Sequence, residues 1–360
     1  MGAGRFDARG LYEVGWRHAG FFQEGPAEVP LTHAGVLRRL GSGARGDFIA
    51  RHFGVLSISV VFLVLFVFFS IQADAFFTAN NLVNVLRQVA PTVIVAMAMT
   101  FVITTGAIDL SVGSIVGLTA ASLALLAKTG NPFLALVLTL LIGLAIGLIN
   151  GTLTAYGKLQ SFIVTLAALT AVRGIALLIT GGYSTPIEST FLLPLGQGKL
   201  LGLYTPTWIA IGTVAAAWYV FNQTRFGRYI VAVGSNAESL RRSGVDIRRI
   251  QLAALVMTAV FASVAGVITA TRLASGSSNS GTMFELEVIT AVVLGGTALM
   301  GGRGSIIGSA IGALTLGIIS NGLVLLHVNV YWVPIVQGTI LVVAIFLNSS
   351  MFSRIVGSRR

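Results

Sequence analysis

Apolar runs of about twenty residues, separated by short polar stretches, dominate this chain from residue 52 onward. An α-helix rises about 1.5 Å per residue, so about 20 apolar residues cross the roughly 30 Å hydrocarbon core of a bilayer. The runs therefore predict transmembrane helices. Ten spans are predicted, at about 52–73, 91–108, 111–127, 132–155, 161–180, 207–221, 252–271, 288–299, 305–326 and 333–347.

The polar stretches divide the chain into three regions. Residues 1–51 carry seven Arg and no sustained periodicity, which predicts a cytoplasmic extension before a transmembrane domain at 52–349. Residues 350–360 predict a short cytoplasmic tail. Because the first apolar run follows about fifty polar residues, we expect no cleaved signal peptide, and we expect the first span to direct insertion.

Three interruptions give further expectations. Residues 76–89 mix Asn, Arg and Gln with apolar residues, which predicts a helix on the outer surface, and Pro91 then starts the second span. Residues 181–206 predict a polar outer loop. Residues 272–287, rich in Ser, Gly and Asn, predict a second outer loop with a partly buried portion.

Composition agrees with a membrane protein. The mean hydropathy is +0.89 and only 10% of the residues are charged, against about 25% in soluble domains. The 43 glycines predict close helix packing, since small residues let membrane helices approach each other. We therefore predict an all-α polytopic protein.

The net charge of +11 agrees with basic loops at a cytoplasmic membrane surface better than with nucleic-acid binding. With ten spans, eighteen Lys and Arg fall on the cytoplasmic side and four on the outer side. Positive residues favour the cytoplasmic side, so this asymmetry predicts that both termini lie inside the cell.

Several chemistries are excluded or disfavoured. The chain has no Cys and only four His, so we predict no metal site and no catalytic residues, and we do not expect an enzyme. Asp109, Arg173, Glu285 and Glu287 are the few ionisable candidates at membrane depth, too few to favour coupling to an ion gradient. Both Gly-Lys pairs are followed by Leu, so the chain lacks a P-loop. ATP, if it drives the protein, must be bound by another subunit.

Residues 224–251 form a basic interruption between two apolar runs. Within it, residues 236–245 predict one short helix, capped by Ser235 or Asn236 and ended by Gly244. Such a helix at the membrane surface fits a groove on a partner protein. The other interpretation is an ordinary basic cytoplasmic loop.

Two further sets of residues are candidates. Asp109, Ser111 and Gly113 open the third span as a structural or gating motif, in which Asp109 or Ser111 caps the helix. Hydroxyl and amide side chains of inner helices could contact a polar solute along a pathway, although Ser and Thr also commonly bond their own backbone. These pathway candidates are Thr100, Thr104, Thr105 and Asn150.

A short internal repeat is visible: GSIVG at 113–117 resembles GSIIG at 304–308, and each opens a predicted span. Duplication of a helical bundle would produce such a repeat, and so would chance recurrence in a chain rich in Gly, Ser and Ile. Both interpretations stay open.

Four stretches together resemble one known family. They are TRFGRYIVAVGSNAESLRRSGVDIRRIQ, MTFVITTGAIDLSVGSIVGLTA, GKLQSFIVTLAALTAVRGIALLITGG and ITAVVLGGTALMGGRGSIIGSAIGA. The chain resembles the ribose/xylose/galactoside-type permease subunits of bacterial ATP-binding-cassette (ABC) importers, within the branched-chain amino acid/ribose permease superfamily. The resemblance covers about residues 80–347; the first fifty residues lie outside it and are longer than is usual for the family.

The resemblance implies an ABC importer permease fold in the bacterial cytoplasmic (inner) membrane. It implies a second permease copy or close paralogue, a cytoplasmic ATPase subunit that holds ATP and Mg²⁺, and an outer binding protein that delivers a monosaccharide such as ribose, xylose or galactose. This chain itself would bind no cofactor. Residues that match the family's ATPase-coupling motif are Ala237, Glu238, Leu240, Arg241, Ser243, Gly244 and Val245. The alternative is a secondary transporter or facilitator that works alone on a small polar solute.

Overall fold

The computed structural model describes residues 44–329 and 331–357, with side chains described for 55–329 and 331–344. The chain divides into two units, Met1–Arg51 and His52–Arg360. Most of the predicted cytoplasmic extension lies outside the described residues.

Helices make up most of the described residues. They are α1 (Ala44–Gln72), α2 (Ala79–Thr104), α3 (Val112–Ala127), α4 (Pro132–Ala155), α5 (Ser161–Thr180), α6 (Pro194–Gln197), α7 (Thr205–Gln223), α8 (Arg225–Arg242), α9 (Ile247–Leu273), α10 (Phe284–Leu294), α11 (Ile306–Leu325) and α12 (Trp332–Gly357). Four two-residue strands form two antiparallel pairs, β1 (Thr185–Pro186) with β4 (Ser275–Gly276) and β2 (Lys199–Leu200) with β3 (Leu203–Tyr204).

Each predicted span corresponds to a helix, and α4 and α5 have the predicted bounds. Six helices of the described residues are long and apolar enough to cross a membrane. They are α1, α2, α4, α5, α9 and α11. Two others are short, with 16 residues in α3 and 11 in α10. Ten crossings and the location of both termini inside the cell stay predictions.

The prediction that Pro91 starts the second span is wrong. Helix α2 runs without a break for 26 residues, from a cap at Thr78 whose hydroxyl accepts a bond from the Asn81 amide, and Pro91 lies inside it. A proline removes one backbone hydrogen bond from a helix. Every residue from Val89 to Thr104 is buried, so packing on all sides holds the helix together across the proline.

Helix α9 lies at the centre of the largest buried cluster and packs closely on α4. Three glycines of α4, spaced by four residues, face it: Gly143, Gly147 and Gly151. A methyl group on Gly147 would lie 2.8 Å from Ala259 Cβ, closer than carbon atoms approach. This repeat of small residues confirms the close packing expected from the glycine content.

The chain between α9 and α10 has irregular backbone and packs along α3. Gly276 faces Ala120 and Ala124 of α3, while Gly281 faces Gly113 at the start of that helix. The partly buried portion of the loop predicted at 272–287 is confirmed for residues 274–283, while its location on the outer side stays a prediction. Helix α10 begins at Phe284, four residues before the predicted start of the span, because Glu285 and Glu287 belong to its first turn.

Candidate functional site

The basic interruption at 224–251 contains α8, which is divided by a break. Thr224 caps α8, and its hydroxyl accepts a bond from the Gly227 amide. Asn236 leaves helical geometry at φ −160° and ψ 87°, and its Oδ1 accepts a bond from the Ser239 amide at 2.9 Å. A second short helix therefore starts after Asn236. The predicted helix and its Asn236 cap are confirmed, and residues 225–235 add a helix that was not predicted.

Gly244 ends this second helix. Its φ is +81°, in the left-handed region that favours glycine, and the Val245 amide returns to the Leu240 carbonyl at 3.4 Å. The predicted stop at Gly244 is thus confirmed. Asp246 then caps α9, since its Oδ1 accepts a bond from the Arg248 amide at 3.1 Å.

We call residues 237–245 the coupling segment. Its surface is one-sided: Leu240 and Val245 are half-buried against the main core. The other five residues of the predicted coupling motif have exposed side chains or backbone. They are Ala237, Glu238, Arg241, Ser243 and Gly244.

One carboxylate organises the charges of the coupling segment. Glu238 accepts from Arg241 at 2.7 Å and from Arg242 at 3.1 Å. These hydrogen bonds, with Arg241 first, lower the pKa of Glu238. The carboxylate therefore stays charged to a lower pH than an ordinary glutamate, and the two pairs are lost only as the pH falls through the lowered pKa.

The first half of α8 joins the coupling segment to the rest of the bundle. The Gly302 amide donates to the Thr104 carbonyl at 2.8 Å, and Gly234 packs against both groups so closely that a side chain on it would clash. Phe226 of α8 stacks against Phe101 of α2 at 6.0 Å between ring centroids. The first half of α8 thus contacts the end of α2 and the α10–α11 connection.

The pathway candidates on α2 are buried. Thr100 Oγ1 lies 2.7 Å from the Ala96 carbonyl and 2.8 Å from Ser309 Oγ. Thr104 donates to the Thr100 carbonyl at 2.6 Å, and Thr105 donates to a carbonyl of the same helix. These bonds match the alternative role of backbone-bonded hydroxyls, and the assignment of these residues to a pathway stays a prediction.

Asp109 joins three parts of the bundle through buried hydrogen bonds. Its Oδ1 accepts from the Ser111 hydroxyl at 2.6 Å and from the Ser111 amide at 2.9 Å, and its Oδ2 accepts from Thr258 of α9 at 2.6 Å. Asn150 of α4 donates to Ser111 Oγ at 3.0 Å. Ser111 does precede the first turn of α3, but neither side chain bonds an amide within that turn, so the prediction of side-chain capping is wrong.

Arg173 contacts the irregular chain before α10, and Glu285, in the first turn of α10, lies against the start of α3. Arg173 of α5 donates to the carbonyls of Ser278, Ser280 and Gly281 at 2.8, 3.1 and 3.0 Å. Gly113 leaves the space in which the Glu285 carboxylate lies. The sequence singles out Arg173 only as a rare charge within an apolar run; its partners are more than 100 residues away and could not be read from it.

Comparison with known proteins places the chain among transport permeases. Residues 81–345 match the family described as branched-chain amino acid transport system / permease component. The ribose import permease protein RbsC of Escherichia coli is 40% identical over 297 residues, covering 81% of this chain and 92% of the relative. No solved structure matches the chain.

Two other relatives are similar over most of their length. The Bacillus subtilis ribose import permease protein RbsC is 38% identical over 288 residues, covering 79% of this chain and 89% of the relative. The xylose transport system permease protein XylH of Escherichia coli is 33% identical over 352 residues, covering 80% and 90%. Together with the six helices of spanning length, these matches indicate a multi-pass membrane protein.

Proposed function

Because the chain belongs to the branched-chain amino acid transport system / permease component family, we propose that it is the membrane-spanning subunit of an ATP-driven importer for a monosaccharide. Relatives named for ribose and xylose transport, at 33–40% identity over most of the chain, support a sugar as the cargo. The residues of the chain would form the translocation pathway in the bacterial cytoplasmic membrane.

The observation that carries the proposal is the exposed coupling segment on a rigid base. A short capped helix with its charged groups exposed offers a surface for a cytoplasmic ATPase subunit, which would hold ATP and Mg²⁺. Just before it in α8, Gly234 lies against Thr104 and Gly302 of the bundle with no room for a side chain. A displacement of the coupling segment would therefore move α2 and the α10–α11 connection with it.

The transport cycle follows from this connection. Two copies of the chain, or the chain and a close paralogue, would present two coupling segments to a pair of ATPase subunits. Closure of the ATPase pair on ATP would draw the segments together and shift α2 relative to its neighbours. A rigid-body shift of this kind alternates the opening of a central site between the two membrane faces. A binding protein outside the membrane would supply the sugar.

Uptake assays on reconstituted protein test the proposal. Proteoliposomes that contain the chain with its ATPase subunit and binding protein should accumulate labelled ribose or xylose. Accumulation should require ATP on the side of the membrane where the ATPase subunit is bound. Omission of the ATPase subunit should abolish accumulation. Equal sugar flux through the chain alone would contradict the proposal and identify a facilitator instead.

A further inference from the structure

The chain between β4 and α10 is irregular and lies inside the bundle. We call residues 277–283 the inserted segment. Gly281 and Met283 have left-handed φ values of 76° and 64°, so no regular helix or strand continues through it. The segment runs along α3, where Gly117 faces Ser278 and Gly113 faces Gly281.

The course along α3 gives the length over which the irregular chain from Gly276 to Gly281 follows that helix. From Ala124, opposite Gly276, to Gly113, opposite Gly281, the chain passes 11 residues of α3. At 1.5 Å per residue this distance is about 16 Å, roughly half the thickness of the hydrocarbon core. The 11 residues of α10 cover a similar distance. Residues 276–283 and α10 together are therefore long enough for one broken crossing.

Arg173 supplies hydrogen bonds that a helix would have supplied. Three carbonyls of the inserted segment accept from its guanidinium at 2.8–3.1 Å. Gly117 leaves room for this contact, since a methyl group there would lie 2.7 Å from the Ser278 and Ser280 oxygens. Arg173 is thus a positioning residue for the inserted segment.

Two of the three exposed side chains of the inserted segment are polar, and the third is Met283, which is 55% exposed. Asn279 and Thr282 are exposed, and so are Thr170 and Gly174 of α5, which lie three residues before and one residue after Arg173. Irregular backbone at membrane depth is not tolerated against lipid; it occurs only within protein or along a water-filled cavity. Helix α1 shows the contrast, because Val64 and its exposed neighbours on that helix are apolar.

Two buried polar atoms lie in the same region. Ser278 Oγ and Glu285 Oε2 have no hydrogen-bond partner among the described residues, although both side chains are at least nine-tenths buried. Buried polar atoms without a partner are costly, so these two fit hydrogen bonds to an enclosed water molecule.

We propose that the exposed side of the inserted segment, with Thr170 of α5 one turn before Arg173, lines the aqueous translocation pathway. Asn279, Thr282 and Thr170 offer hydrogen-bond donors and acceptors to the hydroxyl groups of a monosaccharide. Scattered single contacts of this kind bind weakly, which a pathway requires, because a tightly bound solute would not leave. The inference rests on the proposed function and names its pathway residues.

Single-cysteine labelling tests this assignment, because the chain has no Cys of its own. Thr170→Cys, Asn279→Cys and Thr282→Cys are expressed in the full transporter complex and treated with a negatively charged thiosulfonate reagent. This reaction needs a hydrated thiolate. We expect modification at least about tenfold faster than for the matched control Val64→Cys on α1. We also expect modification at position 282 to block ATP-driven uptake. Added sugar should slow the modification reaction at this position.

Three results would overturn the assignment. One is absence of modification at all three positions while the exposed control Thr129→Cys reacts. Another is labelling at the rate of Val64→Cys. A third is a disulfide between two copies of Thr282→Cys without reaction with the reagent, which would place the segment at a dry contact between copies. Failure of the cysteine-free parent to take up any sugar would instead contradict the proposed function, since the labelling readout needs no transport.

Discussion

At the scale of single residues, Gly234 places the half of α8 that precedes the coupling segment against the bundle. A Cβ on this glycine would collide with the Thr104 carbonyl oxygen and the Gly302 amide nitrogen, both backbone atoms that cannot rotate away. Overpacking of this kind typically costs about 1–3 kcal/mol and shifts backbone. The glycine is therefore required by the contact and not by its own backbone angles.

We predict that Gly234→Val lowers ATP-driven uptake at least about tenfold while ATP hydrolysis by the complex continues, because the displaced contact costs more than 1.4 kcal/mol of coupling. The matched control is Gly212→Ala on α7, where nothing lies within 4 Å of an added Cβ. Uptake and hydrolysis are measured in proteoliposomes at equal membrane levels. Unchanged uptake in Gly234→Val would show that this contact does not transmit the movement.

Arg173 gives a second prediction at this scale. Arg173→Met removes three hydrogen bonds from the inserted segment and should destabilise the protein by about 2–4 kcal/mol, since bonds to charged groups contribute about 1.5–3 kcal/mol each before compensation by water. Arg173→Lys should be intermediate, because an ammonium group lacks the planar fork. Thermal unfolding in detergent measures both. Equal midpoints for Arg173→Met and the parent would contradict the positioning role.

Some contacts of single residues could be predicted from the sequence, and others could not. Asn236 and Gly244 were predictable because caps and left-handed stops act within a few residues of the helix they bound. The bonds of Asp109 were not, because Thr258 is 149 residues away. Nothing local distinguishes an aspartate that caps a helix from one that joins two distant helices.

At the scale of elements, continuous apolar runs predicted the helices well and the irregular chain poorly. The bounds of α4 and α5 were recovered because Asn131 caps α4 and Gly181 takes a left-handed conformation after α5. A loop with a buried portion was predicted at 272–287, but its course along α3 was not, since Ser, Gly and Asn indicate only a loop. Its burial depends on Arg173, a residue of another helix.

The contact between α4 and α9 gives a prediction for this scale. Gly147→Leu should reduce the folded yield several-fold, because the added side chain overlaps Val256 and Ala259 of α9. Leu148→Val, at a position that is 45% exposed, is the control and should leave the yield unchanged. Size-exclusion profiles of fluorescent fusions report the yield. A normal profile for Gly147→Leu would show that α4 and α9 are not held together as closely as described.

At the scale of the whole molecule, the distribution of Lys and Arg predicts the topology. Lys128 follows α3 and Lys158 follows α4, and both are exposed. If both termini lie inside the cell, Lys128→Cys should react with an impermeant reagent from outside, and Lys158→Cys only after the membrane is opened. Cysteine labelling of intact and permeabilised cells checks this. Reaction of both positions from the same side would contradict the ten-span topology.

The central claim for the molecule is that the coupling segment receives energy from a separate ATPase. Glu238 holds Arg241 and Arg242 on that surface, and a cation in its place would repel both. Arg248→Ala, at an exposed position beyond the segment, serves as the control. The most direct test is sugar-stimulated ATP hydrolysis and uptake by complexes that carry Glu238→Arg. Loss of both, with Arg248→Ala unaffected and normal membrane insertion, is the predicted result; normal stimulated hydrolysis and uptake in Glu238→Arg would contradict the claim.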